Sequence, residues 1–265
     1  MEIKVLMENT TVKPELAVEP GLSLYVETQG KKILFDTGMS GNFADNAQKM
    51  GVDLSKVDLA VISHGHDDHG GGLNRFLELN HTAPVYINRH AFRPFYARET
   101  TDLSLDPALK EHPQVVLTDD SMTIGEGLEL FTCNGMERRH KMSHFGLTTL
   151  SHGKHLPDDF RHEQYLLITE GDKKVLLSGC SHKGIRNIME WVQCDVLLGG
   201  FHFMRLALEG EDRRLLEDAA HALMEYPTTY YTCHCTGLRQ YGLLKEIMGE
   251  QLQYSATGDH ITLFM

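Results

Sequence analysis

The sequence predicts an α/β protein in which buried strands alternate with helices. Residues 58–62 are continuously apolar after Asp58 and end on β-branched side chains, as expected for a buried strand, whereas residues 73–79 have the apolar spacing of a helix. The polar run 63–72 between them therefore lies on a strand-to-helix turn, where loops held by rigid elements commonly carry the chemistry. The chain of 265 residues is long for one core, but α/β proteins of this size often form one domain, and we predict a single domain over 1–265.

The same alternation continues through the first half of the chain. A hairpin turn is predicted at Gln29-Gly30, and Gly51 is expected to end the first helix. The stretches 89–113 and 133–163 lack a clear pattern and are interpreted as insertions. The predicted strands are 2–8, 22–28, 31–35, 58–62, 83–88, 114–118 and 122–132, and the predicted helices are 42–50 and 73–79.

The second half is predicted to build another sheet with its own helices. A turn at Gly171-Asp172 separates its first two strands. A helix is expected to begin with Lys183–Met189. The predicted strands are 164–169, 173–178, 195–198, 228–232, 252–254 and 260–264, and two further helices are 211–224 and 237–248.

Composition narrows the partners and the compartment. The net charge of −12 argues against nucleic acid as the main partner, because a phosphate backbone is bound by a basic surface. A small anionic substrate stays compatible, since metal ions and local cations can reverse the sign in a cleft. No apolar run approaches the ~20 residues that span a bilayer, and the N-terminus lacks a signal-peptide pattern, so we predict a cytoplasmic protein without a membrane partner. A lost or Sec-independent leader is the alternative.

The five cysteines do not form a disulfide framework for a chain of this length. Their odd number suits reduced thiols. Cys233-x-Cys235 lacks the two-residue gap typical of a structural zinc knuckle, so no separate structural zinc is expected.

Four potential metal ligands fall within six positions of the 63–72 run: His64, His66, Asp68 and His69. Residues i and i+2 of an extended loop point the same way, so His64 and His66 can share one ion, while the two later residues follow a turn and can face a second position. A carboxylate beside imidazoles lets a second cation approach, and two closely spaced ions are a known hydrolytic device. A histidine-rich turn that only scavenges metal is the alternative, and the core strand directly before the loop argues against it.

The pattern His64-x-His66-x-Asp68-His69 resembles the signature of the metallo-β-lactamase superfamily. Residues 32–38, Lys-Ile-Leu-Phe-Asp-Thr-Gly, are similar to that superfamily's first motif. The segments 177–185, 199–202 and 232–237 resemble a narrower branch that includes the 7,8-dihydropterin-6-methyl-4-(β-ribofuranosyl)aminobenzene 5′-phosphate synthase family. The resemblance runs from about residue 20 to the end. It implies a four-layer αββα sandwich with a dinuclear metal site at one edge.

The resemblance also implies a ligand set. His64, His66 and His182 would hold one ion, and Asp68, His69 and His234 the other, while Asp36 would support the loop without binding metal. Cys180 stands where most members have a bridging aspartate; it is either a thiolate ligand or a small buried hydrophobe. A histidine from 140–162 is a further alternative ligand. We expect two divalent ions, zinc first, with iron or manganese as alternatives.

Other residues are candidates for handling the substrate. His202 follows a short buried strand and could polarise the substrate, donate a proton or bind metal; a structural histidine is the alternative. Lys183 and Arg186 begin a helix and could bind a phosphate or carboxylate, or could be ordinary solvated charges. Arg93 belongs to an arginine- and aromatic-rich segment, 89–98, that could close over a flat, phosphorylated ring or simply pack against the surface.

These expectations combine into a metal-dependent hydrolase of a small, phosphorylated or pterin-like molecule. A metal-bound hydroxide would be the nucleophile, and Asp68 would orient it as well as ligate. One alternative is the branch's synthase-type transferase chemistry, and another is a non-enzymatic sensor of a metabolite or metal. A di-iron oxidoreductase is disfavoured, because such members carry a fused flavin domain that this chain is too short to contain. The sequence makes no prediction of the oligomeric state.

Overall fold

The structure is a computed structural model that describes residues 1–264. Two seven-stranded sheets face each other, and helices cover their outer faces. The predicted α/β fold with sheets flanked by helices is confirmed. The single domain over 1–265 stays a prediction, and residue 265 lies outside the described residues.

The strands alternate with helices along most of the chain. In chain order, the strands of the first half are β1 Glu2–Met7, β2 Ser23–Thr28, β3 Lys31–Phe35, β4 Leu59–Ile62, β5 Val85–Asn88, β6 Phe95–Ala97, β7 Thr101–Asp102, β8 Val115–Thr118, β9 Ser121–Gly125 and β10 Leu128–Phe131. Those of the second half are β11 Leu147–Ser151, β12 Lys154–Pro157, β13 Tyr165–Glu170, β14 Lys173–Gly179, β15 Val196–Gly199, β16 Thr229–Thr232, β17 Leu252–Tyr254 and β18 His260–Thr262.

Within the described residues 1–264, six α-helices connect these strands. They are α1 Asn42–Lys49, α2 Asp67–Gly70, α3 Leu73–Leu79, α4 Ile185–Trp191, α5 Gly210–Met224 and α6 Leu238–Met248. Within residues 1–264, none of the helices combines the length and the apolar composition that crossing a membrane requires.

The two large sheets share one design. The first has the order β18-β1-β2-β3-β4-β5-β8 and the second β17-β16-β15-β14-β13-β10-β9. In each sheet four consecutive strands are parallel, β3-β4-β5-β8 and β14-β15-β16-β17. Parallel strands end at the same edge, so the loops that follow them gather there, as in other open α/β sheets.

Apolar side chains fill three layers. In β3, Ile33 and Phe35 point to the core between the sheets, where they meet Leu166 and Val175 of the second sheet. Leu34 points the other way, into the layer under α1 and α3. The third layer lies between the second sheet and α4, α5 and α6. A strand buried on both faces reads as a continuous apolar run, which is why such strands were recognisable in the sequence.

The structure differs from the predicted elements in two places. The predicted strand 122–132 is wrong: β9 and β10 form a hairpin, and Gly127 turns the chain at a φ of 65°. The two insertions also contain strands, since β6 and β7 pair with β11 and β12 in a third sheet of order β12-β11-β6-β7. These strands are short and pair only with each other, so neither insertion shows a strand pattern by itself.

Candidate metal centre

The predicted ligands come together at the edge where the parallel strands end. The loop after β4 carries His64 and Asp68, the loop after β14 carries His182, and the segment after β16 carries His234. Both sheets therefore contribute side chains to the same site at this edge.

The first group consists of His64, His66 and His182. Each offers one nitrogen, and the three atoms lie within 4.8 Å of one another. The Nε2 atoms of His64 and His182 are 3.2 Å apart, close to the separation of about 3.3 Å between two nitrogens on one tetrahedral zinc ion. Burial, reinforced by the neighbouring imidazoles, lowers the pKa of both rings well below the ordinary value. The rings are therefore held neutral, the form that binds a cation.

The second group consists of Asp68, His69 and His234. Their ligand atoms also lie within 4.8 Å of one another, and Asp68 Oδ2 is 3.3 Å from His234 Nε2. Burial opposes ionisation of Asp68, but His69 and His234 outweigh it and hold the pKa of its carboxyl below the ordinary value. The group thus combines one carboxylate with two imidazoles, a donor set suited to a divalent cation.

Asp36 fixes the loop that carries most of these ligands. Its carboxylate accepts hydrogen bonds from Ser63 N and Ser63 Oγ, each at 2.7 Å, and contacts His69 Nδ1 at 2.6 Å. Burial alone would lower the pKa of His69, but Asp36 and Asp68 raise it to about 9. The geometry agrees with the support role that the resemblance implied for Asp36.

Other imidazoles are held in the same manner, with one nitrogen occupied by the protein and the other facing the centre. Ser63 Oγ lies 2.8 Å from His64 Nδ1, and Asn9 Oδ1 lies 2.7 Å from His234 Nδ1. Such partners fix the tautomer and orientation of a metal-binding ring. The two groups of three donors therefore fit divalent ions in chemistry, burial and orientation.

Glycines let the loop pack closely. A Cβ atom on Gly72 would lie 2.2 Å from Thr37 O, and one on Gly65 would lie 2.2 Å from Ala91 O. Both separations are far below contact distance, so a side chain at either position would push the ligand loop away from its supports.

Cys180 lies between the two groups. Its Sγ is 3.1 Å from His69 Nε2, and it forms a close set of potential ligands with His64 and His69. A second close set joins it to His234 and Cys235. Burial raises the pKa of the Cys180 thiol, so ionisation needs a cation. The position suits a thiolate ligand better than an inert hydrophobe.

His202 lies beside the first group. Its ring centroid is 4.3 Å from that of His182, and Phe145 packs on it at 5.2 Å. Within residues 1–264, both of its ring nitrogens are buried without a hydrogen-bond partner. A purely structural histidine would have its nitrogens satisfied, so this geometry favours a role in the chemistry.

Lys183 corrects one expectation. The side chain is buried, and its ammonium group donates to Thr132 O at 2.6 Å and to Glu163 O at 2.8 Å. Burial lowers its pKa to about 8. A group that is enclosed and fully engaged with the backbone cannot bind substrate, so the predicted substrate contact is wrong and the residue is structural.

The two predicted arginine contacts have different surroundings. Arg93 is one-third exposed and lies 3.9 Å from Asp159 in an ion pair, while the segment around it forms β6 of the third sheet. Arg186 lines a cavity next to the centre, and its Nε is buried without a partner within residues 1–264. The helix α4 beginning beside it has only seven residues.

Sequence reasoning missed Asp158 in the second insertion. Gly65 N donates to His162 Nδ1 at 2.8 Å, and His162 Nε2 contacts Asp158 Oδ2 at 3.0 Å. The same carboxylate oxygen lies 3.5 Å from His66 Nε2. Both nitrogens of His162 are thus occupied, which argues against it as the extra ligand sought in 140–162. No local pattern reveals this contact, because it depends on the pairing of the two insertions.

Comparison with known proteins identifies the family. Residues 16–220 match the metallo-beta-lactamase superfamily. The chain belongs to that superfamily. The predicted resemblance and its αββα sandwich are thereby confirmed.

Three similar proteins cover nearly the whole chain. A crystal structure described as a metal-dependent hydrolase of the beta-lactamase superfamily superposes with a TM-score of 0.84 at 27% identity, covering 99% of each chain. The 7,8-dihydropterin-6-methyl-4-(beta-D-ribofuranosyl)-aminobenzene-5'-phosphate synthase of Methanocaldococcus jannaschii is 25% identical over 259 residues, 88% of this chain and 86% of that protein. An uncharacterized protein of the same organism is 26% identical over 254 residues, 92% and 94% respectively.

Replacing Asp158 with Asn should weaken metal binding at the first group, because the neutral amide no longer orients His66 through its charge. We expect the affinity to fall about 10–100-fold, as for other groups that support a metal-binding histidine. Competition with a chelator of known affinity measures it. Asp159→Asn, at the exposed neighbouring position, is the matched control and should behave as the wild type. Equal affinities for the Asp158→Asn variant and the wild type would refute the assignment.

Replacing Cys180 with Ser should change the electronic spectrum of the cobalt-substituted protein. A thiolate bound to Co²⁺ gives an intense near-ultraviolet charge-transfer absorption, which a serine cannot supply. The wild type should show this band and the Cys180→Ser variant should lose it. Cys194→Ser, also at a buried cysteine but in the core under the helices, should keep it. An unchanged Cys180→Ser spectrum would mean that Cys180 is only a packing residue.

Replacing Lys183 with Met should destabilise the fold without removing metal. The change leaves two buried carbonyl oxygens without their donor, which should cost about 2–4 kcal/mol in urea unfolding. The exposed Lys174 of β14 provides the control, and Lys174→Met should change the unfolding free energy by less than about 0.5 kcal/mol. A stable Lys183→Met protein with lost substrate affinity would restore the original prediction.

Proposed function

We propose that this chain is a metal-dependent hydrolase that acts on a small, phosphorylated or pterin-like molecule. The observation that carries the proposal is the convergence of two groups of three buried ligand atoms, one from His64, His66 and His182 and one from Asp68, His69 and His234. The similarity to a protein described as a metal-dependent hydrolase, at 27% identity over nearly the whole chain, supports the reaction class.

Two divalent ions would be held by these groups, with zinc as our first assignment. Neutral imidazoles and a carboxylate are ligands that zinc, iron and manganese accept, and a thiolate from Cys180 would favour the softer ions. When bound, such ions would supply Lewis acidity and a nucleophile at neutral pH. Side chains of the chain itself would orient the attacking water and act on the leaving group.

Asp68 is suited to orient an attacking water. His69 and His234 keep its carboxyl ionised at neutral pH, although burial opposes this, and its side chain is 24% exposed. An ionised carboxylate has two oxygens, so one can contact a cation while the other accepts a hydrogen bond from the water.

His202 is suited to act on the leaving group. Its ring centroid lies 4.3 Å from that of His182, and its nitrogens, which have no partner within residues 1–264, are free to donate a hydrogen bond or a proton to a departing oxygen. A small molecule, rather than nucleic acid, is the proposed partner, because the chain carries a net charge of −12. We propose a cytoplasmic setting for this reaction.

A transferase is the second candidate. The relative from Methanocaldococcus jannaschii is named as a synthase, and its 25% identity over most of both chains favours this reading. The same centre would then activate a pterin-like substrate for bond formation instead of activating water. The two candidates differ in whether water or a second substrate is consumed.

A paired assay separates the two candidates. Metal-loaded protein is tested for hydrolysis of phosphomonoesters, phosphodiesters and lactones, and for condensation of a dihydropterin with an aminobenzene ribosyl phosphate. We expect hydrolysis, and Asp68→Asn should lower its kcat by about 10²-fold, because the attacking water is no longer held in place. Asp67→Asn, the adjacent carboxylate outside both ligand groups, is the control. Condensation without hydrolysis would establish the transferase instead.

Replacing His66 with Ala should remove most bound metal and most activity while the protein stays folded. The ring offers one candidate ligand atom to the first group, and it packs on Phe95 of β6 in the third sheet. Elemental analysis gives the metal content and circular dichroism the fold. His221→Ala, on the exposed side of α5, should retain both metal and activity. Full metal content in the His66→Ala protein would contradict the assignment.

A further inference from the structure

A cavity of ≈ 490 Å³ opens beside the metal centre. One wall is the chain segment 139–145 of the second insertion, and the opposite wall is formed by the start of α4 and by α5. Phe145 lines the cavity and packs on His202, which packs on His182. The cavity is therefore two side chains away from a predicted metal ligand.

The wall formed by the insertion is fixed in place. Asn187 of α4 is fully buried and binds the backbone of His140 twice, accepting from His140 N at 2.9 Å and donating to His140 O at 2.7 Å. Arg205 adds a bond to Phe145 O at 2.8 Å. Gly184 lets the insertion approach α4, since a Cβ there would lie 2.7 Å from Met142 Cγ. The cavity is thus a built feature of the fold.

Positive charge is concentrated in this cavity although the chain as a whole is strongly negative. Arg139, Lys141 and Arg186 all line it, and Arg139 also lies 3.5 Å from the exposed carboxylate of Glu137. The one carboxylate of the lining, Asp212, accepts a hydrogen bond from Ala207 N at 2.8 Å. Arg186 also has a buried Nε without a partner within residues 1–264. Three cations around one cavity suit a dianion such as phosphate better than a carboxylate, which a single arginine can pair.

The rest of the lining is apolar. Phe145, Phe203 and Leu206 line the cavity deeper in, and Leu215 stands at its exposed rim. Walls of this kind bury a flat or hydrocarbon group, while a few charged groups fix its orientation.

We propose that this cavity binds the phosphate-bearing, apolar part of the substrate, and so presents the reacting bond to the centre next to it. The inference rests on the proposed function, because the occupant is the substrate of the metal centre. It adds the place where the phosphate and the flat, apolar part of such a substrate bind, and the residues Arg139, Lys141 and Arg186 that recognise the phosphate.

The test uses metal-loaded protein and calorimetric titration with phenylphosphonate, a phosphate analogue that is not hydrolysed, and with benzoate. Wild-type protein should bind phenylphosphonate more tightly than benzoate. Arg186→Gln and Lys141→Gln should each weaken phenylphosphonate binding about tenfold, as for loss of a charge-assisted contact. Leu215→Glu, which puts a negative charge at the exposed rim, should weaken it by a similar factor.

Two controls lie on the same helix as the rim residue. Arg214→Gln removes a charge outside the cavity, and Met224→Glu adds one to an exposed apolar position outside it. Both should bind phenylphosphonate as the wild type does. With a turned-over phosphoester, the cavity variants should raise KM far more than they lower kcat.

Two outcomes overturn the proposal. Unchanged phenylphosphonate binding in all three cavity variants would place the anion on the metal centre itself, and equal affinity for benzoate would remove the phosphate preference. Failure of the proposed function is a different result. Binding that depends on Arg186 and Lys141, with no hydrolysis of any phosphomonoester, phosphodiester or lactone, supports the cavity and rejects the hydrolase.

Discussion

The buried carboxylate of Asp36 holds the metal loop in place, and the rest of the centre depends on it. A charge with no exposure to water is costly unless it is fully bonded, and here two donors from Ser63 and the ring of His69 satisfy it. The backbone of Asp36 takes a φ of 60° to reach these partners at the end of β3. One aspartate thus ties the first sheet to the orientation of a ligand.

The second sheet is joined to this loop by a few backbone contacts. Gln164 N donates to Ser63 O at 2.8 Å just before β13, and its side chain donates to Ile62 O at the end of β4. Further along the edge, Glu8 of the first sheet accepts from His234 N at 2.7 Å. The members of each candidate ligand group come from both sheets, so these contacts set the distance between His64 and His182 and between Asp68 and His234. The packing of the two sheets therefore determines the geometry of the candidate ligands.

The limits of sequence reasoning follow from which contacts are local. The spacing of His64, His66 and Asp68 is a local pattern, and a buried strand before it made the loop recognisable. Lys183 follows a ligand directly and begins a helical pattern, yet its side chain turns inward to Thr132, 51 residues away. The contact of Asp158 with His66 depends on the pairing of β11 with β6, which joins the two insertions. Neighbouring residues in the sequence indicate what chemistry is available, but burial decides which side chains can perform it.

The electrostatics of the centre explain why it is suited to bind metal ions. His64 and His182 are buried and neutral at 3.2 Å, so folding brings together nitrogens that cannot be protonated without loss of stability. The pKa values of these two rings are lower in the folded chain than in the unfolded chain. Below the ordinary histidine pKa, the unfolded chain therefore binds more protons than the folded chain does. Acid therefore favours unfolding, and the stability of the neutral pair is retained as pH rises. A cation satisfies the same lone pairs without this penalty, so binding of metal and stability of the fold reinforce each other. The positive cavity beside the centre then needs to recognise only the part of the substrate that does not react.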